Sequence, residues 1–155
     1  MANTDNECAD LKIDDLYSKS TDTLGDIMNL QKDTQESTYD FNFENMNLRE
    51  VMNFWHVNTH SLVDEIHEAT DALGGIKDGS GNAVWKYWKK DFTKYDTLKF
   101  GDLSKSDQIE CKFEIVDMLH FFMNYAISIG MTSSEMFNMF MSKNKENRDR
   151  QKRGY

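Results

Sequence analysis

The chain has 155 residues, of which 39% are hydrophobic, and its formal net charge is −9 at pH 7. This length suits one hydrophobic core, so we expect a single domain over residues 1–155, while the composition excludes a disordered chain and the absence of a ~20-residue apolar run excludes a membrane helix. Residues 143–155 carry a net charge of +4 and the rest of the chain −13, a balance that disfavours nucleic acid as a partner and suits a small, highly charged anion. We therefore expect a cytoplasmic protein with no membrane partner and no nucleic-acid partner.

The first half of the chain predicts three helices. Residues 1–20 are polar and acidic and are expected to be loosely ordered. A first helix covers about Asp22 to Thr38. A second begins at Asn47, because Asn47-Leu-Arg-Glu50 has the form of a capping box, and it ends at Gly74-Gly75. The segment KDGSG (77–81) is a turn, after which Asn82 can cap a third helix, AVWKYWKKDF.

The second half of the chain predicts two more helices. A fourth starts at Ser104 or Ser106 and runs to Ile129, with Gly130 closing it, and Thr132-Ser-Ser-Glu135 caps a fifth that extends to about Lys145. Four or five helices with short connections and no alternating strand pattern indicate an all-α helical bundle. The fourth helix is apolar nearly all round, so we expect it to be buried on most sides and interpret it as the interface of a homodimer.

Two carboxylate pairs carry the main chemical signal: Glu65-Ile-His-Glu68 in the second helix and Glu114-Ile-Val-Asp117 in the fourth. Residues three apart share a helix face, so each pair can direct both carboxylates at one point. If the helices pack with these faces together, four like charges converge and need cations to neutralise them. Hard oxygen ligands select Mg²⁺, or Mn²⁺ in its place. Either pair could also be an ordinary solvated face, although the second interrupts an otherwise apolar helix.

A di-iron site is a competing interpretation. Asp64-Glu-Ile-His67 and Asp117-Met-Leu-His120 both have the carboxylate-x-x-His spacing of di-iron helical bundles. Those bundles use Glu at the carboxylate position, however, and Asp64 is rotated about 100° from Glu65, so both residues cannot face one centre. A di-iron carboxylate protein is therefore the non-hydrolase alternative.

Three further groups could bind a nucleotide. Lys and Arg recur at helical spacing in residues 143–155, as partners of phosphate oxygens would. Trp85 beside Lys86 offers a stacking face and a charge, although tryptophans at this spacing can also be core anchors. Amides that could read a base edge occur at Gln31, Gln35 and Asn124, and each could equally be a surface or capping amide.

Four segments together resemble a known family: AVWKYWK (83–89), SDQIECKFEIVDMLHFFMN (106–124), IGMTSSEMF (129–137) and KNKENRDRQKRGY (143–155). They are similar to the all-α nucleoside-triphosphate pyrophosphatase superfamily, which includes the MazG-like enzymes and the dimeric dUTPases, and within it to the dCTP- and dUTP-hydrolysing enzymes of T-even-type bacteriophages. A phage-encoded protein of this kind would act in the host cytoplasm.

The resemblance implies Mg²⁺-dependent hydrolysis of dCTP and dUTP to the monophosphates and pyrophosphate by a homodimer. It places the metal ligands at Glu65, Glu68, Glu114 and Asp117. The phosphate-binding motif falls on Lys143, Asn147, Arg150 and Tyr155, and the deoxynucleoside-binding positions on Gln31, Trp85, Lys86 and Asn124. Gln31 is followed by Asp33-Thr34-Gln35 where dimeric dUTPases usually have an Asn. The resemblance therefore specifies base selectivity less closely than it specifies the metal ligands.

The expected chemistry is in-line attack of water on a phosphorus of the triphosphate. Two metal ions would neutralise charge and activate the water, with Glu65 or Glu68 as the general base. Lys143 and Arg150 would stabilise charge on the leaving pyrophosphate. The alternatives are a dUTPase confined to dUTP and a MazG-like enzyme that accepts many deoxynucleoside triphosphates.

Overall fold

A computed structural model of the chain describes residues 20–74, 84–90 and 92–154. These residues form four α-helices and no strand, which confirms the all-α prediction: α1 (Thr23–Tyr39), α2 (Leu48–Leu73), α3 (Lys105–Ser128) and α4 (Ser133–Arg153). Short 3₁₀ helices occupy Phe43–Asn45, Phe92–Asp96 and Phe100–Asp102. Residues 1–19, the turn at 77–81, Asn82 and Tyr155, for which we made predictions, lie outside the described residues.

Side chains cap the starts of three helices, and the caps of α2 and α4 are the predicted ones. Asp22 accepts a hydrogen bond from the Gly25 amide (2.9 Å) at the start of α1. The Asn47 side chain accepts from the amides of Arg49 and Glu50 (2.9 and 3.1 Å), and Glu50 accepts from the Asn47 amide (2.8 Å). Thr132 and Glu135 form the same reciprocal box at α4. These side chains satisfy amides that have no partner within the helix.

The prediction of a third helix at AVWKYWKKDF is wrong for residues 84–90, which the structure describes. Residues 84–90 form turns, with hydrogen bonds from the Tyr87 amide to the Trp85 carbonyl and from the Lys89 amide to the Lys86 carbonyl (both 3.0 Å). Trp85 is 48% exposed, and its ring packs edge-on against Trp88 (centroids 5.4 Å apart). A short aromatic segment that buries no helical face lacks the packing that stabilises a helix.

The last helix is longer than predicted, since α4 extends to Arg153 rather than to about Lys145. No glycine or proline interrupts it before Gly154, whose φ is +74°. Ion pairs from Glu146 to Arg150 and Arg153 also join successive turns of this segment. The C-terminal cations are therefore presented on a regular helix.

The fourth predicted helix, α3, is less buried in the single chain than its composition suggested. Cys111, Glu114 and Met123 are buried, but Ile115 is 57% exposed and Phe122 52%. Ile115 and Phe122 are seven residues apart and share a face. In the single chain this helix has more apolar surface than its neighbours cover, and whether a second copy covers the rest stays a prediction.

The chain divides into two compact units, and whether it acts as the predicted single domain stays a prediction. The first unit contains the described residues 56–74, 84–90 and 92–122, and the second contains 20–55 and 123–154. In the second unit, the Phe54 ring packs against Phe41 and Phe43 (centroids 4.7 and 5.4 Å), and Ser133 donates a hydrogen bond to Asp22 (3.0 Å). Within the described ranges, no helix is both long and apolar enough to span a membrane.

Candidate functional site

Three carboxylates in the first unit converge on one point. Glu65 and Glu68 lie one turn apart on α2, Glu114 lies on α3, and one carboxylate oxygen from each lies within 4.8 Å of the others. In the part of the chain that the structure describes, this is the only cluster of three or more Asp, Glu, His or Cys side chains with such spacing. Oxygens at this spacing could bind one hard divalent cation.

Glu114 is the buried member of this cluster, with 4% of its surface exposed. Burial, a hydrogen bond with Glu65 and the negative charges of Glu68, Glu65 and Glu110 raise the pKa of Glu114 to about 8. A buried carboxylate among like charges is unfavourable unless a proton or a cation neutralises it. The solvated-face interpretation therefore does not apply to Glu114.

Glu65 shares this environment. Burial raises the pKa of Glu65 most, and the charges of Glu68, Asp117 and Asp64 raise it further, whereas the hydrogen bond with Glu114 acts in the opposite direction. The pair can hold one proton between its two carboxyl groups. A cation at this position would replace that proton and remove the repulsion among the carboxylates.

Asp117, the fourth predicted ligand, lies beside this cluster rather than within it. Its charge acts on Glu65, but its Oδ1 lies 3.7 Å from Nδ1 of His120. The structure thus brings three of the four predicted ligands together. Because no histidine belongs to the cluster, the geometry gives no support to the di-iron interpretation.

Two further residues that the sequence interpretation missed interact with this site. Glu110, one turn before Glu114 on α3, adds negative charge to it. Cys111 is buried, and burial followed by the charge of Glu114 raises the pKa of its thiol. The four-residue spacing of Glu110 and Glu114 was the available signal, since residues four apart are neighbours on a helix.

Two of the predicted base-reading amides meet in the second unit. Gln31 on α1 donates a hydrogen bond from Nε2 to Oδ1 of Asn124 on α3 (2.9 Å). Asn124 is 2% exposed and is the largest fully buried side chain described. Gln35 lies one turn further along α1 and is half-buried. The amides of Gln31 and Asn124 are therefore oriented by each other, so neither is a freely rotating surface group.

Trp85 and Lys86 adopt the arrangement expected of a stacking face with an adjacent charge. The Lys86 ammonium lies 5.1 Å from the centroid of the Trp85 ring. Trp85 and Trp88 are both about half exposed, so the core-anchor interpretation is wrong for the chain by itself. An exposed indole ring that contacts a cation is available to an aromatic ligand.

The predicted phosphate-binding residues lie along α4 in the second unit. Lys143 and Asn147 are exposed, and Arg150 is half-buried. An open groove of about 440 Å³ follows this helix and is lined by Asn144, Asn147, Arg148, Arg150 and Gln151. Arg150 and Arg153 each donate a hydrogen bond to Glu146, and these bonds lower the pKa of that carboxyl group. The groove offers amide and guanidinium donors, which suit an anionic ligand.

Comparison with known proteins identifies phage relatives. The chain is 46% identical over 96 residues to a protein named dCTP pyrophosphatase from Enterobacteria phage LZ5. The matched segment is 61% of the chain and 56% of that protein. It is 38% identical over 94 residues to the dCTP pyrophosphatase of Enterobacteria phage T4. That segment is 59% of the chain and 55% of the relative. The resemblance expected from the sequence is thereby confirmed.

A third relative is a protein of phage T4 named DNA replication protein, 37% identical over 84 residues, or 53% of the chain and 21% of that protein. The chain spans little more than half the length of the two pyrophosphatases that it matches. No protein-family model and no solved structure matches it. The likeness therefore concerns a large shared segment, and the activity of the whole protein is a matter for proposal.

Proposed function

We propose that the chain is a Mg²⁺-dependent nucleoside-triphosphate pyrophosphatase that hydrolyses dCTP and dUTP to the monophosphates and pyrophosphate. The observation that carries this proposal is the cluster of Glu65, Glu68 and Glu114. Glu114 is buried, so its negative charge has to be balanced by a proton or by a cation bound in the cluster. Similarity to two proteins named dCTP pyrophosphatase supports the same class of reaction.

The residues present fit a hard divalent cation. Glu65, Glu68 and Glu114 would supply carboxylate oxygens, and Asp117, whose charge acts on Glu65, is proposed as the fourth ligand. Mg²⁺ is the expected metal, with Mn²⁺ able to substitute, because an all-oxygen ligand set favours these ions over softer metals. When bound, the metal supplies charge neutralisation for the triphosphate and lowers the pKa of bound water.

The proposed reaction is attack of a water oxygen on a phosphorus of the triphosphate. A new P–O bond forms, the bond to the bridging oxygen breaks, and the products are a nucleoside monophosphate and pyrophosphate. Glu65 or Glu68 accepts the proton of the attacking water. Lys143, Asn147 and Arg150 are proposed to bind phosphate oxygens, with cationic donors opposing the charge on the leaving pyrophosphate.

Recognition of the nucleoside is assigned to the remaining candidates. Trp85 and Lys86 are proposed to stack on the base and to add a positive charge. Gln31 and Asn124, with Gln35 as the third candidate, would read position 4 of the pyrimidine. Cytosine offers an amino donor there and uracil a carbonyl acceptor, and a side-chain amide can present either its oxygen or its NH₂ group. Because the amides of Gln31 and Asn124 are bonded to each other, use of both dCTP and dUTP by one enzyme would require the two amides to rotate together.

A homodimer is part of this proposal. The exposed apolar residues of α3, Ile115, Val116 and Phe122, form a surface that a second copy of the chain would cover. We further propose that the enzyme acts in the cytoplasm, of the host if it is phage-encoded, because its substrates are free deoxynucleotides.

The deciding experiment measures pyrophosphate release from each deoxynucleoside triphosphate with and without Mg²⁺. We expect activity on dCTP and dUTP that is lost with EDTA and restored by Mg²⁺ or Mn²⁺. Activity on dUTP alone would identify a dUTPase, and activity on every triphosphate a MazG-like enzyme. Absence of hydrolysis with every substrate and metal would overturn the proposal.

A further inference from the structure

Two guanidinium groups on α4 meet at one oxygen atom. Arg150 donates from Nε to Oε1 of Glu146 (3.0 Å), and Arg153 donates from a terminal nitrogen to the same Oε1 (2.8 Å). The three residues occupy successive turns of one helix face. Two cations that would otherwise repel each other are held side by side by a single carboxylate.

Stabilisation of the helix does not account well for this arrangement. The side chains of Arg150, Glu146 and Arg153 are 42%, 44% and 63% exposed, and ion pairs between groups that reach solvent contribute little to the free energy of unfolding. A pair from Glu146 to Arg150 would suffice for that purpose. The addition of Arg153 concentrates positive charge at the end of α4, beside the groove that Asn147 and Arg150 line.

The geometry leaves most donors of both arginines for another ligand. Arg150 uses only its Nε–H in the bond to Glu146, so its two terminal NH₂ groups keep the fork that matches phosphate oxygens. Arg153 uses one terminal NH₂ group and keeps the other. A guanidinium fixed by one bond loses less side-chain entropy when it binds an anion.

We propose that Glu146 is a positioning residue that holds Arg150 and Arg153 as a two-guanidinium clamp, and that Arg153 is a further phosphate-binding residue. This inference rests on the proposed function, since it concerns the residues that bind the pyrophosphate portion of the nucleotide. The clamp binds two adjacent phosphoryl groups, one for each guanidinium, whereas a single cation binds one.

The test compares steady-state kinetics with dCTP and Mg²⁺ for Glu146→Ala, Glu146→Gln and Arg153→Ala. Asp149→Ala is the matched control, because Asp149 forms another ion pair on α4, to Lys152 (3.8 Å), without contacting the clamp. We expect Glu146→Ala and Arg153→Ala to raise KM about tenfold with kcat changed less than about twofold. Glu146→Gln keeps an acceptor oxygen and recovers most of the loss, and Asp149→Ala changes neither constant.

Binding of inorganic pyrophosphate, measured by calorimetry, provides a second measurement that does not require turnover. We expect both clamp variants to weaken it by about the same factor as KM. The double variant should bind more weakly than Arg153→Ala, because Arg150 is also released, but by less than the product of the two single effects, because Glu146 acts in part through Arg153. If the wild-type chain hydrolyses dCTP but Glu146→Ala behaves like Asp149→Ala, or lowers KM, this inference is overturned. If the chain hydrolyses nothing yet these variants weaken pyrophosphate binding, the clamp stands and the proposed function fails.

Discussion

The carboxyl groups of Glu114 on α3 and Glu65 on α2 have oxygens within 4.8 Å of each other and interact as a hydrogen-bonding pair. Such a bond requires one of the two groups to be protonated. The pKa of Glu114, raised to about 8 by burial first and by its acidic neighbours second, assigns that proton to Glu114 at neutral pH. The metal-free site is therefore neutralised in part by a proton, and a cation that binds there has to displace it.

Metal binding should release a proton. At pH 7 the metal-free Glu114 is protonated, because its pKa is about 8, whereas a metal ligand must be deprotonated. We expect calorimetric titration with Mg²⁺ to release about one proton at pH 7, seen as a dependence of the heat on the ionisation enthalpy of the buffer. Titration at pH 9, where Glu114 has already lost its proton, is the control. Equal heats in all buffers at pH 7 would contradict the assignment.

The stability of the metal-free protein should fall as pH rises. Glu114 has a pKa of about 8 in the folded chain and about 4.5 when unfolded, so the folded state binds more protons between these values. The contribution of Glu114 to the free energy of unfolding is therefore greatest below about pH 4.5 and decreases as the pH rises to about 8. Thermal unfolding between pH 5 and 9 with EDTA measures the effect. Glu114→Gln should lose less stability over the same range, and an identical decline in both proteins would show that other groups cause it.

Replacing Glu114 by glutamine should abolish hydrolysis while leaving the fold intact. Glutamine resembles the protonated acid in shape and can donate to Glu65, but it cannot supply a carboxylate to a cation. We expect kcat/KM for dCTP with Mg²⁺ to fall by about three orders of magnitude. Circular dichroism should show unchanged helicity. Glu110→Gln, which removes a nearby charge one turn earlier, should stay within a few-fold of the wild type, and near-full activity of Glu114→Gln would remove Glu114 from the site.

Base preference should depend on the hydrogen bond between Gln31 and Asn124. Because Gln31 donates its NH₂ group to Asn124, its oxygen is the group left to accept from the amino group of cytosine, and accommodating uracil requires the amides to rotate. We expect Gln31→Leu and Asn124→Asp to change the ratio of kcat/KM for dCTP and dUTP by about tenfold or more. Gln35→Leu tests the third candidate one turn away. Unchanged ratios in all three variants would exclude these amides from base recognition.

The exposed apolar surface of α3 should control the oligomeric state. Phe122→Glu places a charge where the proposed homodimer would bury an aromatic ring, and we expect it to yield monomers at micromolar concentration. Val57→Glu, at an apolar residue of α2 that is 66% exposed against 52% for Phe122, is the control and should stay dimeric. Light scattering after size-exclusion chromatography measures both. Dissociation of only the Val57 variant would place the interface on α2 instead.

Much of the fold could be predicted from local signals. The capping boxes at Asn47 and Thr132 locate two helix starts to within a residue, because each side chain bonds to amides of its own first turn. The predictions of helix position failed where packing against other parts of the chain, rather than local sequence, determines whether a helix forms. The aromatic segment at Trp85 has helical spacing but no buried face. The last turns of α4 are polar, so the hydrophobic pattern does not show how far that helix runs.

The candidate site shows the same division. Spacing alone predicted that Glu65 and Glu68 share a helix face, and the apolar surroundings of Glu114 predicted its burial. The offset of Asp117 from the carboxylate cluster depends on how α2 and α3 approach each other, which sequence spacing does not specify. The bond between Gln31 and Asn124 joins residues 93 positions apart, and nothing local to either residue predicts it.

The Asp22 carboxylate connects two helix starts: it accepts from the Gly25 amide of α1 and from the Ser133 hydroxyl of α4. One helix carries Gln31, and the other carries the cations proposed to hold phosphate. The position of each set along its helix is therefore set by its distance in sequence from a helix start that Asp22 contacts. A one-residue deletion between Asp22 and Gln31 would turn that amide by about 100° and move it about 1.5 Å along the axis. The number of residues between Asp22 and Gln31 therefore fixes where the Gln31 amide lies, and substitutions in α1 that keep this number leave its position along the helix unchanged.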